Sequence, residues 1–130
     1  MRSILVDQRS VNEMNLKMCE SDYKFMSIIW NNEPVRSGRL VELCAEKLNW
    51  KKSTTSTLKK VCDKGYAKNQ NSIVSSTVKK SEVQEFESRH VIDEAFSGSL
   101  PNFLTAFFSG KKISNKEAEE LKKLIDGYKE

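Results

Sequence analysis

The stretch WKKSTTSTLKKVCDKG, residues 50–65, combines five consecutive hydroxyl side chains and five lysines with a short apolar stripe. The stripe has the i, i+3, i+4 spacing that predicts an amphipathic helix, and it consists of Leu58, Val61 and Cys62. Ser53 is expected to cap this helix and Gly65 to end it. Lys59 and Lys60 then project from the side opposite the stripe. We expect a folded helix that presents cations to phosphate.

Two further helices are predicted ahead of this one. Residues 23–30 are so apolar that most of their helix must be covered, so we expect it to be the core helix. Ser21 and Asp22 are expected to cap it, and Pro34 to end it. Ser37 is expected to cap a second helix. The apolar face of that second helix comprises Leu40, Leu43, Cys44 and Leu48.

A short β-hairpin is predicted over residues 66–78. Its apolar positions follow an asparagine-rich turn, which consists of Asn69, Gln70 and Asn71. The order helix, helix, helix, hairpin is that of a winged helix-turn-helix, whose third helix enters a DNA groove. We assign residues 20–80 to this DNA-binding domain. Residues 1–19 lack periodicity and are assigned to an N-terminal extension.

Residues 81–130 are predicted to form three helices. Ser81 with Gln84 and Ser114 with Glu117 have the spacing of capping boxes. Fifty residues are too few to bury three apolar helix faces alone, so we expect a dimerisation domain. The expected dimer interface consists of Phe96, Leu100, Phe103, Leu104, Phe107, Phe108, Leu121, Leu124 and Ile125. The predicted fold is therefore mainly α with a small β-hairpin, a winged helix-turn-helix followed by a C-terminal three-helix dimerisation domain.

Two sets of polar residues are candidates for contacts with double-stranded DNA. Lysines neutralise phosphates, whereas short hydroxyl side chains near the helix start reach base edges. The helix set is Lys51, Lys52, Ser53, Thr54, Thr55, Ser56, Lys59 and Lys60. The wing set is Lys68, Asn69, Gln70 and Asn71. The alternative for the helix set is a solvated face with capping hydroxyls, and for the wing set a turn chosen only for its backbone.

Charge is distributed unevenly along the chain. Residues 1–80 contain 15 Lys and Arg against 8 Asp and Glu, a net charge of +7, whereas residues 81–130 contain 7 against 10, a net charge of −3. The basic first part suits a polyanion such as nucleic acid. The acidic, amphipathic second part suits contacts between proteins.

Neither an enzyme nor a metalloprotein is indicated by the residue pattern. No pair of carboxylates, Ser-His-Asp set or glycine-rich phosphate loop is apparent at the spacings those sites require. The cysteines at positions 19, 44 and 62 form no CxxC or CxC pair, so we expect reduced thiols, no metal site and no cofactor. Apolar runs are too short for membrane insertion or a secretory signal, which predicts a cytoplasmic protein.

Several segments resemble the penicillinase repressor family. They are residues 21–30 (SDYKFMSIIW), 34–35 (PV), 40–43 (LVEL), 50–55 (WKKSTT), 98–103 (GSLPNF) and 114–125. The likeness extends from about residue 18 to the C-terminus and rests on the sum of these motifs. It implies a homodimeric winged-helix transcriptional repressor that binds a palindromic operator.

Members of the family respond to different signals. In β-lactam-responsive members a membrane receptor-protease triggers cleavage of the repressor, and the similar bond here joins Asn102 to Phe103, although Pro101 departs from the pattern. Copper-responsive members carry paired CxC motifs near the C-terminus, whereas this chain has no cysteine after Cys62. The resemblance thus implies repression of β-lactam-resistance genes with release by proteolysis. The alternatives are a metal- or other stress-responsive repressor of the same fold, or an adaptor of that shape that binds only protein.

Overall fold

The computed structural model describes residues 15–130, which form six helices and three short strands. In chain order these are α1 (Glu20–Asn32), β1 (Val35–Arg36), α2 (Ser37–Leu48), α3 (Thr54–Asp63), β2 (Ala67–Gln70), β3 (Ile73–Ser76), α4 (Lys80–Phe96), α5 (Leu100–Phe107) and α6 (Asn115–Tyr128). The predicted fold class is confirmed, because a winged helix is followed by further helices. No helix in this described part of the chain is long and apolar enough to cross a bilayer.

The chain folds as two compact units, one extending to Ser88 and the other comprising Arg89–Glu130. The division lies within α4, whereas the sequence placed the domain boundary at residues 80/81. The start of α4 belongs to the first unit because Val83 is fully buried and Phe86 packs against the core of that unit.

The core of the first unit is built around α1, as the apolar sequence of this helix predicted. Its buried side chains are Phe25, Met26, Ile28 and Ile29. They pack with buried residues of α2, α3 and β3, among them Leu40, Val61 and Val74. The indole Nε1 of Trp30 donates a 2.9 Å hydrogen bond to the backbone oxygen of Val78, which ties α1 to the segment after β3.

Three helix starts differ from the predicted ones. α1 begins at Glu20, so Ser21 and Asp22 lie inside the helix rather than capping it. α2 begins at Ser37 itself, with Arg36 at the cap position. At the start of α4, the backbone nitrogen of Lys79 donates to Glu82 Oε1 at 3.0 Å, which takes the place of the predicted box between Ser81 and Gln84. Capping patterns recur every few residues in polar sequence, and tertiary packing decides which of them forms.

A small antiparallel sheet completes the first unit, with strand order β1-β3-β2. The strand β1 was not predicted, because two residues are too few to show an alternating pattern; Val35 pairs with Val74 across it. The predicted turn is also corrected, since Asn69 and Gln70 belong to β2 and only Asn71 lies in the turn, with Ser72. Their φ angles of 54° and 65° are those of a two-residue type I′ turn, which matches the twist of the flanking strands.

The N-terminal extension assigned to residues 1–19 lies mostly outside the described residues. Within residues 15–19, Leu16 and Met18 are buried in the core of the first unit. The hydroxyl of Tyr66 also donates a 2.9 Å hydrogen bond to the backbone oxygen of Asn15. These five residues are therefore part of the folded unit rather than an appendage.

The second unit comprises the end of α4 together with α5 and α6. α4 ends at Phe96 and is followed by Ser97 and Gly98, whose φ angles are positive at 50° and 79°. The Ser99 hydroxyl accepts from the backbone nitrogen of Asn102, and Ser114 caps α6 in the same way, as the sequence predicted for Ser114. Within this unit an aromatic series runs through Phe96, Phe103, Phe107 and Phe108, with ring centroids 5.3–6.1 Å apart.

Candidate nucleic-acid interface

The exposed face of α3 carries most of the candidate DNA-contacting residues. Leu58 and Val61 are buried against the core, so the side chains at intermediate helical positions turn outward. The exposed side chains on this helix are Thr55, Ser56, Lys59, Lys60 and Asp63. An open depression on this face is lined by Ser56, Lys59, Lys60, Asp63 and Lys64. The helix therefore presents hydroxyls near its start and ammonium groups over its later turns.

The approach to α3 extends the same surface. Residues 51–53 are exposed, whereas the preceding Trp50 is partly buried and stacks on Phe25 of α1. The predicted side-chain cap by Ser53 does not form, because this residue already has near-helical φ and ψ angles of −87° and −7°. Instead the Ser56 hydroxyl donates a 3.1 Å hydrogen bond to the Ser53 backbone oxygen. The hydroxyl of Ser53 is thus exposed and makes no capping bond.

Thr54 is the exception among the helix candidates. Its side chain is buried with 4 % exposure, in contrast to Ser53 and Thr55 on either side. It lies near Cys44 of α2, whose pKa is raised by burial and lowered to a smaller extent by the Thr54 hydroxyl. Thr54 therefore packs against α2 and leaves the set of residues that can reach DNA from the surface.

Lys60 is also distinct, because its ammonium group already has a partner. Lys60 Nζ lies 3.3 Å from Asp22 Oδ1, and Lys64 Nζ lies 3.3 Å from Asp22 Oδ2. The hydrogen bond to Asp22, followed by its negative charge, raises the pKa of Lys60. A second neighbour of the Lys60 ammonium group is Cys19, whose Sγ lies 3.8 Å from Lys60 Nζ. The charge of Lys60 is therefore directed toward α1.

The other lysines of the candidate set have no such partner. Within residues 15–130, no carboxylate oxygen lies within 4.0 Å of the ammonium groups of Lys51, Lys52, Lys59 or Lys68. Each of the four is exposed. Their charges are therefore available to an external anion, and Lys59 is the available cation at the middle of α3.

The hairpin of β2 and β3 places the wing candidates at one exposed edge. Lys68, Asn69 and Gln70 are exposed along β2, and Asn71 is exposed in the turn. The turn is held by α2, since the backbone nitrogen of Ser37 donates a 2.8 Å hydrogen bond to the Ser72 oxygen. A second tie comes from Glu33, whose carboxylate accepts hydrogen bonds from the nitrogen and hydroxyl of Ser76. The wing is thus anchored to both α1 and α2.

The candidate dimer residues lie on the second unit, where no residue of α5 or α6 is buried. Leu100, Phe107, Leu124 and Ile125 are each 53–56 % exposed. The partly buried members of the set are Phe96, Phe103, Leu104, Phe108 and Leu121. This unit therefore leaves large apolar side chains accessible to a partner. The bond between Asn102 and Phe103 lies in the first turn of α5, with Asn102 exposed.

Asp22 is the residue of this region whose position the sequence interpretation missed. It precedes Phe25, Met26 and Ile29 by three, four and seven residues, which is the spacing of the buried stripe of α1. An acid on such a stripe is buried and must find a cation. The spacing therefore indicates that Asp22 is buried. In the structure its neighbouring cations are Lys60 and Lys64.

The helices, the wing and the exposed cationic face of α3 define a winged-helix protein with an additional helical unit. The model of the penicillinase repressor family matches residues 18–127, and the chain belongs to this family. Membership implies a DNA-binding transcriptional repressor, and proteins of this family are regulators rather than enzymes. No curated protein matches the chain at a significant level.

Proposed function

We propose that this protein is a homodimeric transcriptional repressor that binds a palindromic operator in the cytoplasm through α3 and the wing. The observation that supports this most directly is the cationic surface of α3, with Lys59 at its centre and Lys51 and Lys52 on the approach, all without a carboxylate partner among the described residues. Free ammonium groups beside exposed hydroxyls suit a phosphate backbone flanked by base edges.

The proposed contacts divide between two elements. On α3 and its approach they are Lys51, Lys52, Ser53, Thr55, Ser56 and Lys59, and on the wing they are Lys68, Asn69, Gln70 and Asn71. The hydroxyls of Thr55 and Ser56 are short and lie in the first turn of α3, the part of a recognition helix that reaches deepest into the major groove. The lysines then position the helix through phosphates and carry little sequence information themselves.

Dimerisation is proposed from the exposed apolar side chains of the second unit. Large apolar groups that are more than half exposed, such as Phe107 and Leu124, are stabilised by removal from water against a second copy. A twofold dimer presents two α3 helices, which matches an operator with two half-sites. An adaptor that binds only protein would not need the unpaired lysines at positions 51, 52 and 59, on α3 and its approach.

The proposal extends to induction by proteolysis and to control of β-lactam-resistance genes, through a membrane receptor-protease system. It rests on the membership of the penicillinase repressor family and on the exposed position of Asn102 in α5. Cleavage after Asn102 would separate most of α5 and all of α6 from the DNA-binding unit. Loss of those apolar faces dissociates the proposed dimer and lowers operator affinity.

The DNA-binding proposal is tested by measuring affinity for mapped genomic sites as a function of salt concentration. Lys59→Ala and Lys68→Ala are each expected to reduce the magnitude of the logarithmic salt slope by about 0.9, the contribution of one neutralised phosphate. Lys112→Ala is the matched control, since Lys112 is an exposed lysine of the second unit. Unchanged slopes for both Lys59→Ala and Lys68→Ala contradict the proposal and favour the adaptor.

Proteolytic induction has its own test. Mass spectrometry of the protein from β-lactam-treated cells is expected to reveal a fragment that ends at Asn102. An intact chain after induction of the resistance genes contradicts this part of the proposal and leaves the DNA-binding part untouched.

A further inference from the structure

Asp22 is the only buried carboxylate among residues 15–130, with 1 % exposure. It lies on the apolar stripe of α1 beside Phe25 and Met26, which are fully buried. A carboxylate removed from water is costly unless cations compensate its charge. The charge of Asp22 must therefore be compensated by the cations nearest to it.

The two cations nearest to Asp22 are Lys60 of α3 and Lys64, which directly follows this helix. Lys60 and Lys64 are four residues apart, which is one helical turn, and each ammonium nitrogen lies 3.3 Å from a different oxygen of Asp22. Their side chains are 47 % and 44 % exposed, so both lysines lie at the surface with their ammonium groups beside Asp22. Lys59, adjacent to Lys60 on the same helix, has no carboxylate partner within the described part of the chain.

We propose that Asp22 limits the affinity of this protein for DNA of any sequence, because it holds the ammonium groups of Lys60 and Lys64 against the protein and withholds these two cations from DNA phosphates. This inference rests on the proposed role of α3 as the recognition helix. Phosphate contacts give affinity for any DNA sequence, whereas base contacts discriminate between sequences. By limiting the first kind of contact, Asp22 lowers the sequence-independent part of the affinity and leaves the base contacts of α3 unchanged.

The competition between Asp22 and a phosphate favours Asp22. A lysine that moved to a DNA phosphate would leave part of the charge of a buried carboxylate uncompensated, whereas a phosphate on the DNA surface remains hydrated without that lysine. Lys60 is held further by Cys19, whose Sγ lies 3.8 Å from its Nζ. The two lysines thus remain with Asp22 when DNA is bound.

The test measures binding of the full chain to a short random-sequence DNA duplex over a range of salt concentrations. Lys59→Gln is expected to reduce the magnitude of the logarithmic salt slope by about 0.9, because one phosphate contact is lost. Lys60→Gln in the otherwise unchanged protein is expected to leave the slope as it is. Asp22→Asn is expected to increase its magnitude by up to about 1.8 and to tighten binding at low salt roughly three- to tenfold, because two cations become available.

Two controls separate this role from a merely structural one. Asp63→Asn removes the same charge from an exposed acid of α3 and is expected to change the slope much less than Asp22→Asn. In the Asp22→Asn background, Lys60→Gln is expected to reduce the slope, although it does not in the wild-type background. Asp22→Glu keeps the charge at this position, and this variant is expected to have the same salt slope as the wild-type protein. A loss of packing alone would not make the effect of Lys60→Gln depend on the residue at position 22.

The inference is overturned if Lys60→Gln reduces the wild-type slope as much as Lys59→Gln does, since Lys60 then already contacts phosphate. This comparison decides the matter even where Asp22→Asn does not fold. Equal effects of Asp63→Asn and Asp22→Asn also overturn it. Wild-type protein that binds no DNA in a salt-dependent way contradicts the proposed function instead, so the two failures are distinguishable.

Discussion

Trp50 stacks on Phe25 with 5.8 Å between the ring centroids and 7° between the ring planes. Phe25 is fully buried in α1, and Trp50 directly precedes the exposed residues 51–53 that lead into α3. Offset aromatic stacks contribute about 0.5–1.5 kcal/mol beyond the burial of their area. The stack therefore fixes the start of the proposed DNA-binding surface to the core helix.

Replacement of Trp50 by alanine is expected to lower the free energy of unfolding by about 2 kcal/mol, less than for a fully buried tryptophan because Trp50 is only partly buried. Trp50→Phe retains an aromatic ring against Phe25 and is expected to lose less than half of that amount. Urea denaturation followed by far-ultraviolet circular dichroism measures both values. Equal losses in the two variants would show that stacking on Phe25 contributes nothing.

At Ser72, in the turn between β2 and β3, a substitution is expected to stabilise the protein rather than destabilise it. Ser72 has a φ of 65°, a left-handed conformation that costs a residue with a Cβ about 1 kcal/mol. Ser72→Gly is expected to stabilise the first unit by up to this amount, since the backbone oxygen that accepts from Ser37 is retained. Ser75→Gly, in the extended strand β3, is the control and is expected to destabilise. Thermal denaturation distinguishes the two variants, and a lowered melting temperature for Ser72→Gly contradicts the prediction.

The three cysteines are expected to react with iodoacetamide in a defined order as pH rises. A hydrogen bond with Ser21 and a backbone hydrogen bond at Asp22 lower the pKa of Cys19, whereas burial raises the pKa of Cys44 and Cys62. A lowered pKa means a larger thiolate fraction at a given pH, and the thiolate is the nucleophile. Cys19, which is also exposed, is therefore alkylated at the lowest pH, as peptide mass spectrometry would show.

Substitution of Ser21 tests whether its hydrogen bond lowers the pKa of Cys19. Ser21→Ala removes the larger of the two contributions and is expected to move the alkylation midpoint of Cys19 to higher pH. The midpoint of Cys62 serves as the internal reference and should not move. Cys44 is fully buried and is expected to react only when the protein unfolds.

Much of the first unit could be predicted because the relevant signals are local. The burial of Leu58 and Val61 and the exposure of Lys59 follow from helical spacing alone, and so does the core position of α1. The end of α3 was also predicted, since Gly65 has a φ of 83° that a glycine adopts without strain. Each of these features depends on residues within a few positions of one another.

The remaining features depend on residues far apart in the chain. Asp22 and Lys60 are separated by 38 positions, so no local pattern joins them. Helical spacing from Leu58 and Val61 places Thr54 on the buried face, but its position near Cys44 of α2 follows only from the packing of the two helices. The strand β1 exists because Val35 meets Val74 on β3, and that register is set by the fold as a whole. Sequence periodicity identifies the buried face of a helix but not the residues of other elements that pack against it.

The apolar face of α6 gives a direct prediction about assembly. Leu124 is 56 % exposed, so Leu124→Asp costs the isolated chain little but places a charge in the proposed dimer interface. A penalty of about 3 kcal/mol raises the dimer dissociation constant more than a hundredfold. Asn115→Asp, on an exposed position of the same helix away from the apolar stripe, adds the same charge and is expected to leave the dimer intact. Sedimentation equilibrium of both variants measures the difference. A stable Leu124→Asp dimer would place the interface away from this face of α6.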